Sequence, residues 1–166
     1  MQWLVYTSVV TQVVVAVLLL GIARHDAKHF KIRNKDVLVL LALYLPAQGL
    51  LFFPALTSDL FAGVLLFALG FTMWLLRSLG AGDAKLMFPL GLHIGYAELA
   101  TFAAILFVFS VFLYAAIRLA AFSNLQSGLG GKLAQLKHEG RVPYAIPLCV
   151  AAVPAILSRA IWTAGA

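Results

Sequence analysis

Two aspartates, Asp26 and Asp83, have the residue type and the surroundings that hydrolytic chemistry needs. Asp83 lies in a glycine-containing segment, GAGDAK at 80–85, and Asp26 follows a long apolar run. Two carboxylates a few ångströms apart cannot both ionise cheaply, so they share one proton. One can then act as general base on a water molecule while the other acts as general acid. This is the chemistry by which aspartic proteases hydrolyse peptide bonds.

Composition places these aspartates in a membrane protein. Hydrophobic residues make up 63% of the chain and charged residues 11%, and the mean hydropathy is +1.00, all outside the range of soluble domains. The apolar runs are long and lack the alternation of a β-barrel, which predicts an all-α helix bundle. We expect one integral-membrane domain over 1–166. The net charge of +6 comes without a soluble domain or an aromatic-basic surface, so nucleic acid is not an expected partner.

Six apolar runs predict six transmembrane helices, at 3–23, 37–53, 60–76, 79–96, 99–117 and 142–161. With the amino terminus outside, every lysine and arginine except Arg159 falls on the cytoplasmic side, as the positive-inside rule requires. Crossing by the short fourth run requires the 80–85 segment to enter the membrane as irregular backbone. This topology places Asp26 and Asp83 at the inner ends of their helices. The 118–141 segment fits an interfacial helix or a plain polar linker.

The candidate residues also have plain structural explanations. Asp26 could be a solvated charge in a basic loop, and Asp83 could be the N-cap of the fourth helix. Gly80 and Gly82 would permit positive φ angles and a close approach of an extended substrate strand. Lys85 could pair with Asp83 or extend toward the inner surface, and the sequence does not decide between the two.

Histidine and cysteine do not form a pattern that indicates a metal or cofactor site. The single cysteine, Cys149, excludes a disulfide framework and a multi-cysteine zinc site, and we expect it to pack as a small hydrophobic residue. His25 and His29 flank Asp26 in a basic interfacial loop, where histidines are usually solvated. His93 lies toward the outer end of its helix, too far from the aspartates to be a ligand. We expect no metal and no cofactor.

Three segments resemble the motifs of the prepilin peptidase (type IV leader peptidase) family. GAGDAKL at 80–86 looks like the family's GxGDxKL segment, whose GxGD core also marks the wider class of intramembrane aspartic proteases. Asp26, with Ile-Arg-Asn at 32–34, resembles the family's first aspartate and its downstream Ile-Pro-Asn, although Arg33 replaces the usual proline. VPYAIP at 142–147 resembles the Pro-aromatic motif that opens the last helices. The three matches keep the family order from the first helix to the last.

The resemblance implies an aspartic endopeptidase of the bacterial inner membrane, with its active site on the cytoplasmic side. Its substrate would be an Flp-type prepilin embedded in the same lipid bilayer, with a short basic leader, a glycine before the scissile bond and a hydrophobic helix behind it. The catalytic pair would be Asp26 and Asp83. The residues that shape the site or bind substrate would be Gly80, Gly82, Lys85, Asn34 and Pro143.

The larger family members carry a cytoplasmic domain with paired Cys-x-x-Cys motifs and also methylate the cleaved pilin. This chain has one cysteine and no such domain, so it resembles the short form associated with Flp (Tad-type) pili. We therefore do not expect methyltransferase activity.

Two functions from other classes are also compatible with the aspartates. A small proton or cation carrier could use Asp26 and Asp83 as a relay, although carriers usually place their charges near the bilayer midplane. A non-catalytic assembly subunit of a secretion machine would tolerate asparagine at both positions, whereas a protease would not.

Overall fold

The chain folds into a bundle of helices. The structure is a computed structural model that describes residues 2–48, 55–122 and 144–165. Within these ranges there are six α-helices and no β-strand, which confirms the all-α prediction. The helices are α1 (Gln2–His29), α2 (Asn34–Gln48), α3 (Leu56–Leu75), α4 (Ala81–Ile94), α5 (Leu99–Phe122) and α6 (Ala145–Gly165).

Four of the described helices, α1, α3, α5 and α6, are long and apolar enough to cross a membrane. Large apolar side chains cover their outer faces, among them Phe107 and Phe112 on α5, which suits contact with lipid. The other two helices, α2 and α4, have 15 and 14 residues. At 1.5 Å per residue each is about 21 to 23 Å long, less than the ~30 Å of a hydrocarbon core. The bundle fits a multi-pass membrane protein.

The short helix α4 is enclosed by the rest of the bundle. Most of its side chains between Asp83 and Ile94 are buried. Helix α3 packs closely along it, because a Cβ atom at Gly91 would lie 2.6 Å from the carbonyl oxygen of Ala62. Small residues let membrane helices approach each other in this way. Since protein rather than lipid surrounds α4, its length does not have to match the hydrocarbon thickness.

Helix α1, which carries Asp26, and helix α3, which precedes α4, are each followed by a residue in the left-handed conformation. Phe30, with φ of 50°, follows α1, and its N–H donates to the carbonyl of Asp26 at 2.8 Å. Arg77, with φ of 58°, follows α3. There the N–H of Ser78 donates to the carbonyl of Met73 at 2.9 Å. A hydrogen bond between residues five positions apart at a helix end is characteristic of a Schellman motif. These ends fix where the chain turns before α2 and α4.

Some sequence expectations need correction. The 80–85 segment is not irregular, because α4 already begins at Ala81 and Gly80 alone is extended. Helix α3 begins before the expected span at 60–76, so Asp59 lies in its first turn and is 1% exposed. Helix α5 continues to Phe122, and the remainder of the 118–141 segment lies outside the described residues, as does Pro143.

Candidate active site

Asp26 lies in the last turn of α1 and is buried, with 5% of its surface exposed. The backbone N–H of Ala145, the first residue of α6, donates to its carboxylate. The N-terminus of a helix carries partial positive charge, so α6 stabilises negative charge at this point. The interpretation of Asp26 as a solvated loop charge is therefore wrong.

Asp83 is the third residue of α4 and is 8% exposed. It is not the N-cap, because Gly80 occupies that position and donates its N–H to the Asp83 carboxylate. In a capping box, an acidic side chain in the first turn accepts a hydrogen bond from the backbone N–H of the N-cap residue in the same way. The Oδ1 atom of Asp83 is buried and has no hydrogen-bond partner in the described part of the chain. Burying an oxygen atom without a hydrogen-bond partner costs free energy. Such an atom is typical of a site in which a bound reactant supplies the missing partner.

The carboxylates of the two aspartates are close enough to interact electrostatically, although they lie on helices that are distant in the sequence. The adjoining segments touch as well, since a Cβ atom at Gly82 would lie 3.2 Å from the Cβ of Ile32. The segment after α1 therefore packs directly on the first turn of α4. This contact joins the Ile-Arg-Asn stretch to the glycine-containing segment.

The two glycines beside Asp83 provide space and not an unusual backbone. Gly80 has φ of −69° and ψ of 146°, and Gly82 lies within α4, so the expected positive φ angles are wrong. A Cβ atom at Gly80 would lie 2.8 Å from Oδ2 of Asp83. The space at these glycines is thus next to the Asp83 carboxylate and Ile32, and the close approach of a substrate strand stays a prediction.

Comparison with known proteins agrees with this arrangement of motifs. The family model for the type IV leader peptidase family matches residues 13–121, which include Asp26 and Asp83. The chain belongs to the type IV leader peptidase family. The predicted family is confirmed, and the matched residues contain the first two motifs, whereas the third, at 142–147, lies outside them. The chemistry of this family is that of a peptidase. Comparison with curated proteins and with solved structures finds no match.

The expectation that Cys149 packs as a small hydrophobic residue is confirmed, because it lies in the apolar core of the bundle. Cys149 lies one helical turn into α6, is fully buried and hydrogen-bonds to the backbone of Ala23. It lies in the same apolar core cluster as Leu19 and Ala23 of α1.

Arg33, which replaces the proline usual in the leader peptidase family, has a partner in the next turn. Its Nε donates to Oδ2 of Asp36 at 2.8 Å and its Nη2 donates to Oδ1 at 3.0 Å. Such a two-point pair fixes both side chains, and the bonds to Asp36 raise the pKa of Arg33. The pair therefore orders the start of α2, where a proline would otherwise restrict the backbone.

Asn34 and Lys85 do not contact the aspartates directly. They lie at an open groove of about 600 Å³ that is otherwise apolar, lined by Val37, Leu38, Phe67 and Phe88. Lys85 is exposed, and no ion pair joins it to Asp83. The structure thus favours a Lys85 side chain that extends from the bundle over one that pairs with Asp83. Across the described residues, no group of three or more histidine, cysteine, aspartate or glutamate side chains could hold a metal ion.

Proposed function

We propose that this type IV leader peptidase family member is an aspartic endopeptidase in which Asp26 and Asp83 are the catalytic pair. The observation that carries the proposal is that two aspartates from distant parts of the chain are both buried and lie close enough for their carboxylates to interact electrostatically. Each carboxylate also accepts a hydrogen bond from a backbone N–H at the start of a helix, Asp26 from Ala145 and Asp83 from Gly80. Paired carboxylates in such surroundings have the groups that acid–base hydrolysis requires.

In the proposed reaction the pair shares one proton before substrate binds. The ionised carboxylate takes a proton from a water molecule, whose oxygen attacks the carbonyl carbon of the scissile peptide. The protonated carboxylate gives its proton to the carbonyl oxygen, and a tetrahedral intermediate forms. As the carbon–nitrogen bond breaks, the carboxylate that took the water proton gives it to the leaving amine, and a hydroxyl of the intermediate returns a proton to the other carboxylate. The products are a carboxylic acid and an amine, and the pair again holds one proton.

The substrate we propose is an Flp-type prepilin, and its cleavage would serve pilus biogenesis or secretion. The enzyme would cut after the glycine that ends the short basic leader, where the hydrophobic helix of the pilin leaves the membrane. A single cysteine in the whole chain supports peptidase activity without the methyl transfer of the larger family members.

We further propose that Gly80, Gly82, Asn34, Lys85 and Pro143 shape the site or bind substrate. The first two leave room beside the Asp83 carboxylate and Ile32. Asn34 and Lys85 lie at one apolar groove, which is suited to a hydrophobic segment with a polar end. Pro143 immediately precedes the turn into α6, whose first N–H reaches Asp26.

All six helices would cross the bacterial inner membrane, with the amino terminus outside and the active site at the cytoplasmic face. Arg159, the one cation that this topology places outside, forms an ion pair with the buried Asp59 at 2.8 Å. A paired arginine does not act as a free positive charge. This pairing supports the orientation, because it removes the single exception to the positive-inside rule.

The function can be tested by co-expressing the chain with an Flp-type prepilin and determining the mass of the pilin amino terminus. We expect the wild type to remove the leader, and Asp26→Asn and Asp83→Asn to leave it attached while remaining in the membrane at normal amounts. A carrier would not process the pilin. A non-catalytic subunit would leave pilin processing the same in all three strains, and that result would reject the proposal.

A further inference from the structure

The end of the bundle opposite the aspartates contains a buried polar cluster centred on Arg159 and Asp59. The Oδ2 atom of Asp59 accepts from Nη2 of Arg159 at 2.8 Å and from the hydroxyl of Tyr44 at 2.7 Å. Asp59 is 1% exposed and the Arg159 side chain 14% exposed. These bonds join α6, α3 and α2 through one carboxylate.

The same guanidinium also binds the C-terminal end of α4. Its Nη1 donates to the carbonyl oxygens of Leu92 and His93, both at 3.2 Å. The last carbonyls of a helix have no partner within the helix, and a cation there also offsets the negative helix end. Gly95 follows with φ of 70°, and a Cβ atom there would lie 2.6 Å from Nη1. The chain is thus shaped to let Arg159 reach α4.

Two further contacts add Gln48 and His93 to this polar cluster. With its amide oriented to accept, Gln48 on α2 takes bonds from Nε and Nη2 of Arg159, both at 3.3 Å. Nε2 of His93 lies 2.9 Å from the carbonyl oxygen of Leu40, which joins α4 to α2. We call the set of Tyr44, Gln48, Asp59, His93 and Arg159 the outer clamp.

The outer clamp matters for the reaction because the two aspartates lie on helices that barely touch. Helix α1 packs chiefly on α6, and α3 packs chiefly on α4, whereas direct packing between α1 and α4 is slight. Apart from the contact between Ile32 and Gly82 at the inner end, the position of Asp83 relative to Asp26 therefore depends on the packing of α2 and α6. Helices α4 and α6 both begin at the aspartates, at Ala81 and Ala145, and both reach the clamp near their other ends.

We propose that Arg159 and Asp59 are positioning residues that hold α4 against α6 at the outer end and so set the separation of Asp26 and Asp83 at the inner end. This inference rests on the proposed function of the pair. Asp26 lies in the last turn of α1 and Asp83 in the first turn of α4, so a change in how α4 packs against α6 would move one carboxylate relative to the other.

A buried ion pair offers a way to separate positioning from stability. Removing one partner leaves an uncompensated buried charge, which is strongly destabilising, whereas replacing both partners with apolar side chains is often neutral. Arg159→Met should therefore lower the melting temperature, and Asp59→Leu with Arg159→Met should restore it. Neither variant can bind the α4 carbonyls. We expect the double variant to be stable and yet to cleave prepilin with kcat lowered about tenfold or more and KM changed far less.

The experiment uses the full-length chain in lipid nanodiscs and measures melting temperature, kcat and KM, and the distance between spin labels at Lys28→Cys and Ser78→Cys. Both label positions are exposed and near the inner end, and the fully buried Cys149 stays in place. Glu98→Gln is the matched control, because Glu98 lies near the clamp but accepts from Ser158. We expect the double variant to broaden the distance distribution and the control to match the wild type.

If the double variant regains both melting temperature and kcat with an unchanged distance distribution, the clamp is only structural and the proposal is wrong. If the wild type does not cleave prepilin at all, the proposed function fails instead. In that case the label distances still decide the positioning claim: a broadened distribution in the double variant supports it, and an unchanged one overturns it.

Discussion

At the scale of single residues, the position of the Asp83 carboxylate depends on the missing side chain at Gly80. The backbone of Gly80 is extended, with φ of −69° and ψ of 146°, which alanine adopts without strain. A methyl group there would lie 2.8 Å from Oδ2 of Asp83, too close for two unbonded atoms. The carboxylate is the end of a flexible side chain, so it would move while the fold stays intact.

Gly80→Ala should therefore lower catalysis more than stability. We expect kcat for prepilin cleavage to fall about ten- to a hundredfold, because a catalytic group displaced by less than an ångström loses its alignment. The melting temperature should stay within about 2 °C of the wild type. Cleavage assays and thermal denaturation of the same preparation measure both. Wild-type kcat in this variant would show that the carboxylate does not need its observed position.

The residue types of the pair could be predicted from the sequence, but their surroundings could not. Asp26 and Asp83 stand out because each follows an apolar run in a recognisable motif. The N–H of Ala145 reaches Asp26 only after the last helix packs on the first. Contacts between residues so far apart depend on tertiary packing, and one sequence has no local signal for them.

At the scale of helices, glycines set how closely α3 approaches α4. A Cβ atom at Gly91 would lie 2.6 Å from the Ala62 carbonyl oxygen and 2.6 Å from the Cα of Gly63. Both of these are backbone atoms, which cannot move without separating the helices. Because α4 carries Asp83 at its first turn, this packing also determines where the carboxylate lies.

Gly91→Ala should destabilise the bundle by about 1 to 3 kcal/mol, the usual cost of an extra carbon in a packed interior. Gly21→Ala is the matched control, because Gly21 is also helical but has nothing within 4 Å of its would-be Cβ. The control should be neutral or slightly stabilising, since alanine favours helix. Thermal denaturation in detergent compares the two. Equal melting temperatures would contradict the close packing of α3 and α4.

The helices themselves could be predicted from the sequence, but the residues at which they begin and end differ from the predicted ones. The expected span at 60–76 begins earlier, at Leu56, because Asp59 is buried against Arg159 and Tyr44 and need not remain in a solvated turn. A partner one hundred residues away removes the cost of burying this charge. Composition alone cannot supply that information.

At the scale of the whole molecule, the central question is whether the short helix α4 crosses the membrane. Its fourteen residues are too few for a lipid-facing span, but its buried position makes a crossing feasible. Ser78 precedes α4 and Ala97 follows it, and both are exposed. They therefore report on which side each end lies.

We expect Ser78→Cys and Ala97→Cys to react from opposite sides of the membrane. A membrane-impermeant maleimide added outside should label Ala97→Cys in intact cells, and Ser78→Cys only after permeabilisation. The native Cys149 is fully buried and should give no background signal. Labelling of both positions from the same side would mean that α4 is re-entrant and that six crossings are wrong.

The most direct test of the account is cleavage of a purified Flp-type prepilin by the purified chain in liposomes, followed by mass spectrometry of the products. The account predicts cleavage after the leader glycine by the wild type. Asp26→Asn and Asp83→Asn should each lower the rate by at least about a hundredfold, while Glu98→Gln, an acid outside the pair, should retain it. Wild-type cleavage by either asparagine variant would contradict the pairing of Asp26 and Asp83.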